Sequence, residues 1–181
     1  MGRMRVPVQM RWADLDAYGH VNNAAMLTLL EEARIATFWT SDPEGDRSGA
    51  KVLSGGPASD TRTLVARQEI EYLAPLSYSQ DPVGVELWIG EIGGASLLVC
   101  YEVLTPTGKV CARAASSIVK VDAGSGRPAR FSDEERQALE PLLDEVVITQ
   151  STSMRSMAPE DLAEIARDIF DEDVVHLQAN L

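Results

Sequence analysis

The chain is poor in the residues that build disulfide frameworks and metal sites. Its 181 residues include two cysteines, Cys100 and Cys111, and two histidines, His20 and His176. Two cysteines give no disulfide framework for a secreted fold, so we expect both to be small buried thiols of a cytoplasmic protein. Two histidines far apart in sequence do not supply the ligand set of a zinc site. We therefore expect no metal.

Long apolar runs and basic residues are also scarce. No apolar run approaches the roughly 20 residues that span a bilayer, so we expect no membrane association. The 16 Lys and Arg residues face 28 Asp and Glu residues, which gives a net charge of −12. Binding a nucleic-acid backbone requires a basic face, so this balance argues against a nucleic-acid partner. A local cluster of arginines can still bind a small anionic ligand.

Periodic apolar residues predict five strands. In residues 5–13 the alternation puts four side chains on one buried face: Val6, Val8, Met10 and Trp12. Further strand patterns cover residues 64–72, 83–89, 97–104 and 110–121. Two short turns, Gly93-Gly94 and residues 105–108, predict hairpins and hence antiparallel pairing. Ser132 and Glu135 have the spacing of a capping box and predict a short helix after the last strand.

A polar turn followed by an apolar helix lies between the first two predicted strands. Residues 14–23 contain two carboxylates, a histidine, a glycine and two carboxamides. Asn22 or Asn23 is a suitable N-cap for a helix that continues to about Thr40. Because Thr28 is the only polar residue from position 24 to position 30, we expect this helix to be covered on most sides. One long helix on an antiparallel sheet is an α+β arrangement.

Two segments fall outside this pattern. Residues 41–60 are rich in Gly, Ser, Asp and Pro and are predicted to be a long loop. Residues 160–173 carry seven acidic side chains, with apolar residues at helical spacing, and predict an acidic amphipathic helix. We therefore divide the chain into a domain of residues 1–145 and a C-terminal extension of residues 146–181.

The turn and the start of the helix resemble the signature of a known family. Asp-Leu-Asp-Ala-Tyr-Gly-His-Val-Asn-Asn at positions 14–23 and Glu-Glu-Ala-Arg at 31–34 are similar to hotdog-fold acyl-CoA thioesterases of the 4-hydroxybenzoyl-CoA thioesterase type. Residues 70–75 and 116–122 also fit, and the resemblance covers about residues 5–141. It implies an antiparallel five-stranded sheet wrapped around one long helix, to which the C-terminal helix is added. It also implies a homodimer or homotetramer with active sites at the dimer interface.

The resemblance assigns catalytic roles within the turn. Asp16 matches the family's catalytic carboxylate, which acts as a nucleophile or as a general base on water. The backbone N–H groups around Asn22 and Asn23 match the site that binds the thioester oxygen, where a helix N-terminus favours negative charge. His20 polarises a water molecule or holds the turn. Each role has a structural alternative, because Asp16 could simply satisfy backbone N–H groups of the turn and Asn22 could simply cap the helix.

Substrate contacts are implied for residues inside and outside the turn. Tyr18, Gly19 and Val21 are expected to contact the acyl substrate. Coenzyme A carries phosphates, for which the basic residues near the last strand are candidates by location: Arg113 and Arg127, with Lys120 and Arg130. Asp14 is expected to order the turn without taking part in chemistry. Glu31 or Glu32 is expected to pair with Arg34, although a related thioesterase type uses a glutamate on this helix as its catalytic carboxylate.

The predicted function is hydrolysis of an acyl-CoA thioester to free acid and coenzyme A. No separate cofactor is expected, since coenzyme A is part of the substrate. Hydration of an enoyl thioester is a second reaction on this fold, but its Asp…Asn-Pro pattern is missing because no proline follows Asn22 or Asn23. A non-catalytic acyl-CoA or acyl-carrier binding protein is the alternative that the sequence leaves open, since fold does not fix function.

Overall fold

A computed structural model of the chain describes residues 2–40, 53–54 and 59–146. The strands are β1 (Met4–Val8), β2 (Trp39–Thr40), β3 (Leu53–Ser54), β4 (Thr61–Tyr72), β5 (Val83–Ile92), β6 (Ser96–Leu104) and β7 (Val110–Asp122). The helices are α1 (Asn23–Phe38) and α2 (Asp133–Leu139), with 3-10 turns at Trp12–Asp14 and Glu140–Leu142. The acidic helix predicted over 160–173 and most of the loop predicted over 41–60 lie outside the described residues.

The predicted five-stranded antiparallel sheet is confirmed, with the strand order β1-β5-β6-β7-β4. The two predicted hairpin turns connect β5 to β6 and β6 to β7. Gly108 has φ +85° in the second turn, a conformation that glycine adopts without a steric penalty. Strand β4 pairs with β7 rather than with β5, its neighbour along the chain. Strands β1 and β4 are therefore the two edges of the sheet.

Helix α1 packs on the apolar face of this sheet. The strand predicted over 83–89 buries every second residue in the core, as expected for one apolar face: Val83, Val85, Leu87 and Ile89. Between positions 23 and 30 the exposed helix residues are Asn23 and Ala24, so the first two turns are covered as predicted. The later turns expose Glu31, Glu32, Ile35 and Ala36. The helix ends at Phe38, two residues before the predicted end, where the chain pairs with β3.

The first strand is shorter than predicted, and the placement of Trp12 was wrong. Val6, Val8 and Met10 are buried as expected, but Trp12 is 73% exposed. The carboxylate of Asp14 accepts the backbone N–H of Arg11 at 2.7 Å, which bends the chain into the 3-10 turn. The Trp12 ring leaves the sheet and stacks on Tyr78 with 4.3 Å between ring centroids.

A bulge in β4 changes which side chains share a face. The register with β7 shifts between Val65 and Arg67. Ile70 lies opposite Ala114 and Leu64 lies opposite Val119, so Leu64 and Ile70 point to opposite faces of the sheet. In an uninterrupted strand these two residues, six positions apart, would share a face, and the extra residue at the bulge separates them.

Within the described ranges, none of the helices combines the length and the apolar character that crossing a membrane requires.

Candidate active site

Residues 14–22 form a closed hairpin ahead of helix α1. The N–H of Asn22 donates to the carbonyl of Asp14 at 2.8 Å, and the N–H of Asp16 donates to the carbonyl of His20 at 2.8 Å. Leu15 and Val21 form an antiparallel bridge between these two rungs. Gly19 lies at the tip with φ +81°, where any other residue would be strained. The backbone bonds therefore set the position of Asp16 relative to the helix start.

The Asp16 carboxylate is anchored through one of its two oxygens. Oδ1 accepts the backbone N–H groups of Tyr18 at 2.8 Å and His20 at 3.1 Å. These are the turn-stabilising bonds that the structural alternative predicted for Asp16. Among the residues that the structure describes, no donor reaches Oδ2. The side chain is half-buried, so its orientation is fixed while one oxygen can still receive a proton or attack a carbonyl carbon.

The N-terminus of α1 offers backbone donors next to this hairpin. Asn22 is the N-cap, and its Oδ1 accepts the N–H of Ala24 at 2.8 Å. The backbone N–H of Asn22 itself is taken by Asp14. Within the described part of the chain, the N–H groups of Asn23 and Ala25 have no acceptor. Of the two predicted oxyanion donors, Asn23 therefore has an available N–H and Asn22 does not.

Tyr72 connects the edge strand to the helix start, a contact that the sequence analysis missed. Its hydroxyl donates to the carbonyl of Asn23 at 2.8 Å. Partial burial raises the pKa of Tyr72 above its usual value, so the phenol keeps its proton at neutral pH. The sequence signal was the tyrosine within the family segment 70–75, although its partner could not be read from local pattern.

Asp14 is a buried residue at the open end of the hairpin. It is 3% exposed, and its carboxylate accepts from Arg11 through the backbone N–H at 2.7 Å and through Nη2 at 2.8 Å. The side-chain hydrogen bond from Arg11 holds the pKa of Asp14 below its usual value, against the opposing effect of burial. The same bond raises the pKa of Arg11. Asp14 therefore remains ionised and orders the turn, as expected.

Seven of the nine predicted site residues lie in this one region. The tip residue Tyr18 is 84% exposed, while Val21 is buried and donates its N–H to the carbonyl of Leu76 at 2.8 Å. His20 is half-buried and forms a bridge with Ser77 in the β4–β5 connection. The region brings together Asp16, Tyr18, Gly19, His20, Val21, Asn22 and Asn23.

Arg113 and Arg127 lie away from the hairpin within one protomer. The side chain of Arg113 lies on the face of the sheet opposite to the one that carries the core residues. Its Nε donates to Glu102 at 3.0 Å. The carbonyl of Arg127 accepts the N–H of Asp122 at the far end of β7. Ten residues of β7 separate Asp122 from Ala112, the partner of Tyr72, which corresponds to about 33 Å. Lys120, another candidate for binding coenzyme A phosphates, forms an ion pair with Glu135.

Glu31, the alternative catalytic carboxylate, is also distant from the hairpin. It lies eight positions after Asn23, which corresponds to about 12 Å along the helix. Its side chain is 56% exposed and approaches Arg34 at 3.6 Å, the pairing expected from the sequence. Arg34 itself is 4% exposed and donates from Nη1 to the hydroxyl of Tyr101 at 3.3 Å. Of the two carboxylates, Asp16 is the one on the hairpin that precedes the helix, whereas Glu31 lies within the helix.

Across the described residues, no three His, Cys, Asp or Glu side chains group in a way that could hold a metal ion. The hairpin itself brings together the Asp16 carboxylate, the His20 side chain and backbone N–H groups.

The sequence matches known proteins over most of this fold. The model of the thioesterase-like superfamily matches residues 10–139. FadM of Escherichia coli (strain K12), named a long-chain acyl-CoA thioesterase, is 28% identical over 141 residues, which are 77% of this chain and 99% of FadM. A thioesterase from Thermus thermophilus, solved in complex with coenzyme A and Zn, is 30% identical with a TM-score of 0.58 and covers 76% of this chain and 92% of that structure.

A more distant structure shares the fold alone. DHNA-CoA thioesterase from Staphylococcus aureus has a TM-score of 0.62 at 15% identity and covers 87% of this chain and 97% of that structure. The superfamily match includes the Asp16 hairpin, helix α1 and all strands of the sheet from β4 to β7. The family expected from the sequence is confirmed: the chain belongs to the thioesterase-like superfamily of hotdog-fold proteins.

Proposed function

We propose that this protein hydrolyses acyl-CoA thioesters to a free acid and coenzyme A. The observation that carries the proposal is that Asp16 lies on the hairpin that leads into the N-terminus of α1. Among the described residues, Oδ2 of Asp16 has no hydrogen-bond donor and the N–H of Asn23 has no acceptor. The Asp16 carboxylate can activate water or attack the thioester carbon, and the Asn23 N–H can stabilise the oxyanion. The names of the relatives support acyl-CoA as the substrate class.

In the proposed reaction, the thioester oxygen accepts a hydrogen bond from the N–H of Asn23 at the positive end of α1. Asp16 removes a proton from a water molecule while the water oxygen bonds to the carbonyl carbon. The resulting tetrahedral oxyanion collapses, the carbon–sulfur bond breaks, and the proton passes from Asp16 to the coenzyme A sulfur. Losing one oxyanion donor of this kind typically costs about 3 kcal/mol of barrier.

Direct attack by Asp16 is the second route that uses the same groups. Oδ2 would bond to the carbonyl carbon, release the coenzyme A thiolate and leave a mixed anhydride for water to hydrolyse. In both routes the backbone N–H groups of Tyr18 and His20 hold the carboxylate in place. His20 acts in this proposal by holding the turn, and Asn22 acts as the helix cap.

We also propose that the site is completed by a second copy of the chain. Strand β4 is a 12-residue edge with exposed Leu64 and Val65, a surface that soluble proteins usually cover. Antiparallel pairing of two β4 strands would place the far end of one protomer's sheet beside Tyr72 of the other. The partner's Arg127 would then approach the Asp16 hairpin and could bind coenzyme A phosphates.

The catalytic assignment is tested by measuring coenzyme A release from a panel of acyl-CoAs. We expect Asp16→Asn to lower kcat by about a hundredfold or more, because the amide cannot accept the proton. The matched variant Glu31→Gln should stay within about twofold of the wild type. Loss of activity in Glu31→Gln with full activity in Asp16→Asn would move the catalytic carboxylate to the helix. Calorimetric binding of acyl-CoA without any release by the wild type would identify a non-catalytic binding protein.

The role of Arg127 is tested with two substrates that share an acyl group. Arg127→Ala should raise KM for the acyl-CoA and leave KM unchanged for the matching N-acetylcysteamine thioester, which lacks phosphates. Arg5→Ala is the control, because Arg5 is an exposed arginine of β1, at the other edge of the sheet. Sedimentation analysis should give a dimer or tetramer. An active monomer with no effect of Arg127→Ala would contradict the shared site.

A further inference from the structure

One residue, Asp14, links the two halves of the site. Its carbonyl accepts the N–H of Asn22 at 2.8 Å, and the peptide bond that follows Asn22 carries the N–H of Asn23. On its other side Asp14 precedes Asp16 by two residues. A shift of Asp14 would therefore move the carboxylate and the oxyanion donor relative to one another.

Asp14 is itself held by Arg11. The guanidinium donates from Nη2 to Oδ1 at 2.8 Å and from Nε to both carboxylate oxygens at 3.2 and 3.3 Å. The backbone N–H of Arg11 adds a bond of 2.7 Å to Oδ2. A buried carboxylate that loses its cationic partner is strongly disfavoured, because the remaining hydrogen bond cannot compensate for its charge. The position of Asp14 thus depends on the Arg11 charge.

We infer that Arg11 is a positioning residue for thioester hydrolysis: by neutralising buried Asp14, it fixes the separation between the Asp16 carboxylate and the Asn23 N–H. This inference rests on the function proposed above. Arg11 contacts neither of the two reacting groups. Its side chain is 67% exposed, so replacing it opens no cavity in the core. A change in activity would therefore report on position rather than on lost packing.

The experiment compares kcat and KM for Arg11→Met, Arg11→Lys and the double variant Arg11→Met with Asp14→Asn. We expect Arg11→Met to lower kcat about tenfold or more, since small misplacements of reacting groups are costly, with KM within about twofold. Arg11→Lys should recover part of the loss. The double variant should recover most of it, because a neutral amide at position 14 needs no counter-charge. Arg5→Met, which removes an exposed arginine of β1, should leave kcat unchanged.

A second readout does not require turnover. Hydrogen exchange of the peptide spanning residues 14–25, followed by mass spectrometry, should be faster in Arg11→Met and should return toward the wild-type rate in the double variant. Unchanged kcat in Arg11→Met, or a double variant no better than the single one, would overturn the inference. Unchanged exchange would overturn it as well, even if the wild type released no coenzyme A. A wild type that releases no coenzyme A would reject the proposed function, whatever the exchange rates show.

Discussion

The hydroxyl of Tyr72 donates to the carbonyl of Asn23, so the last residue of edge strand β4 is bonded to the first residue of helix α1 at 2.8 Å. Asn23 also carries the proposed oxyanion donor. The edge through which we propose that two protomers pair is therefore in direct contact with the helix N-terminus. This contact connects assembly of the sheet to the geometry of the site.

Tyr72→Phe should lower kcat about fivefold without a comparable change in KM. The variant removes one hydrogen bond, which contributes about 1 kcal/mol, and the helix start becomes less well fixed. Tyr78→Phe is the control, because the ring of Tyr78 stacks on Trp12 and the substitution keeps this ring. Steady-state kinetics and thermal melts on both variants separate the site effect from a loss of stability. If Tyr72→Phe and the wild type had equal kinetics, the hydrogen bond from Tyr72 to the Asn23 carbonyl would not be needed to hold the helix start in place.

The stability of Arg11→Met should depend on pH. In the wild type the hydrogen bond from Arg11 depresses the pKa of Asp14, so its stabilisation is present above the unfolded-state pKa of about 4 and is lost as pH falls through the lower folded-state pKa. Without Arg11, the buried carboxyl favours protonation. The destabilisation relative to wild type should therefore be largest near pH 7 and shrink toward about pH 4.

Urea unfolding at several pH values measures this difference. Because Arg11 is largely exposed and screened by solvent, the destabilisation should be modest even near pH 7. Arg5→Met should show no such pH dependence. A difference that stays constant between pH 7 and pH 4 would mean that the charge of Asp14 is not what Arg11 stabilises.

Lys120→Met should destabilise the fold more than Glu135→Gln does. The ammonium group of Lys120 lies 2.7 and 2.6 Å from the two oxygens of Glu135, and both side chains are mostly buried. Removing the lysine leaves an unpaired carboxylate and should cost about 2 kcal/mol. Glu135→Gln can keep the capping-box bond to the N–H of Ser132 and should cost about 1 kcal/mol.

Guanidinium unfolding of the two single variants and the double variant gives the coupling between these residues. We expect the double variant to be more stable than Lys120→Met alone, since no charge is then left unpaired. Additive effects would argue against a direct pair. Ser132→Ala, which removes only the helix cap, provides the reference at about 1 kcal/mol.

Both cysteines should be unreactive in the folded protein. Cys100 and Cys111 are buried, as the sequence predicted. Burial raises the pKa of Cys111 to about 11, which leaves little reactive thiolate at neutral pH. A chromogenic disulfide reagent should label neither thiol rapidly at about pH 8 and should label two per chain in denaturant. Rapid labelling of the native protein would show that the sheet opens readily near Cys111.

Local sequence patterns were sufficient for several elements. Alternation in β5 identified its buried face, and the spacing of Ser132 and Glu135 identified the start of α2. The turn containing Gly108 predicted the last hairpin. Each of these depends on neighbours a few residues apart, where backbone geometry and hydrophobic period leave few options. The turn around Asp16 could be predicted from the sequence for the same reason.

Other features depended on contacts between distant residues. The expected pairing of Glu31 with Arg34 is present, but Arg34 is also buried and bonded to Tyr101, 67 positions away. Trp12 matched an alternating pattern, yet its ring lies outside the strand and stacks on Tyr78, 66 positions away. Such outcomes follow from satisfying buried polar groups across the whole fold, which a short window of sequence cannot evaluate.

Local periodicity and motifs are enough to predict the antiparallel sheet, the central helix, the family and the hairpin that carries Asp16, because each of these depends on residues close together in the chain. The folded chain was needed to show that the N–H of Asn22 is bonded to Asp14 and that Tyr72 bonds the carbonyl of Asn23. It was also needed to show that Arg113 lies on the other face of the sheet and that Arg127 lies at the far end of β7. The physical reason is that a hydrogen-bond donor is free or occupied according to which distant groups the fold brings to it.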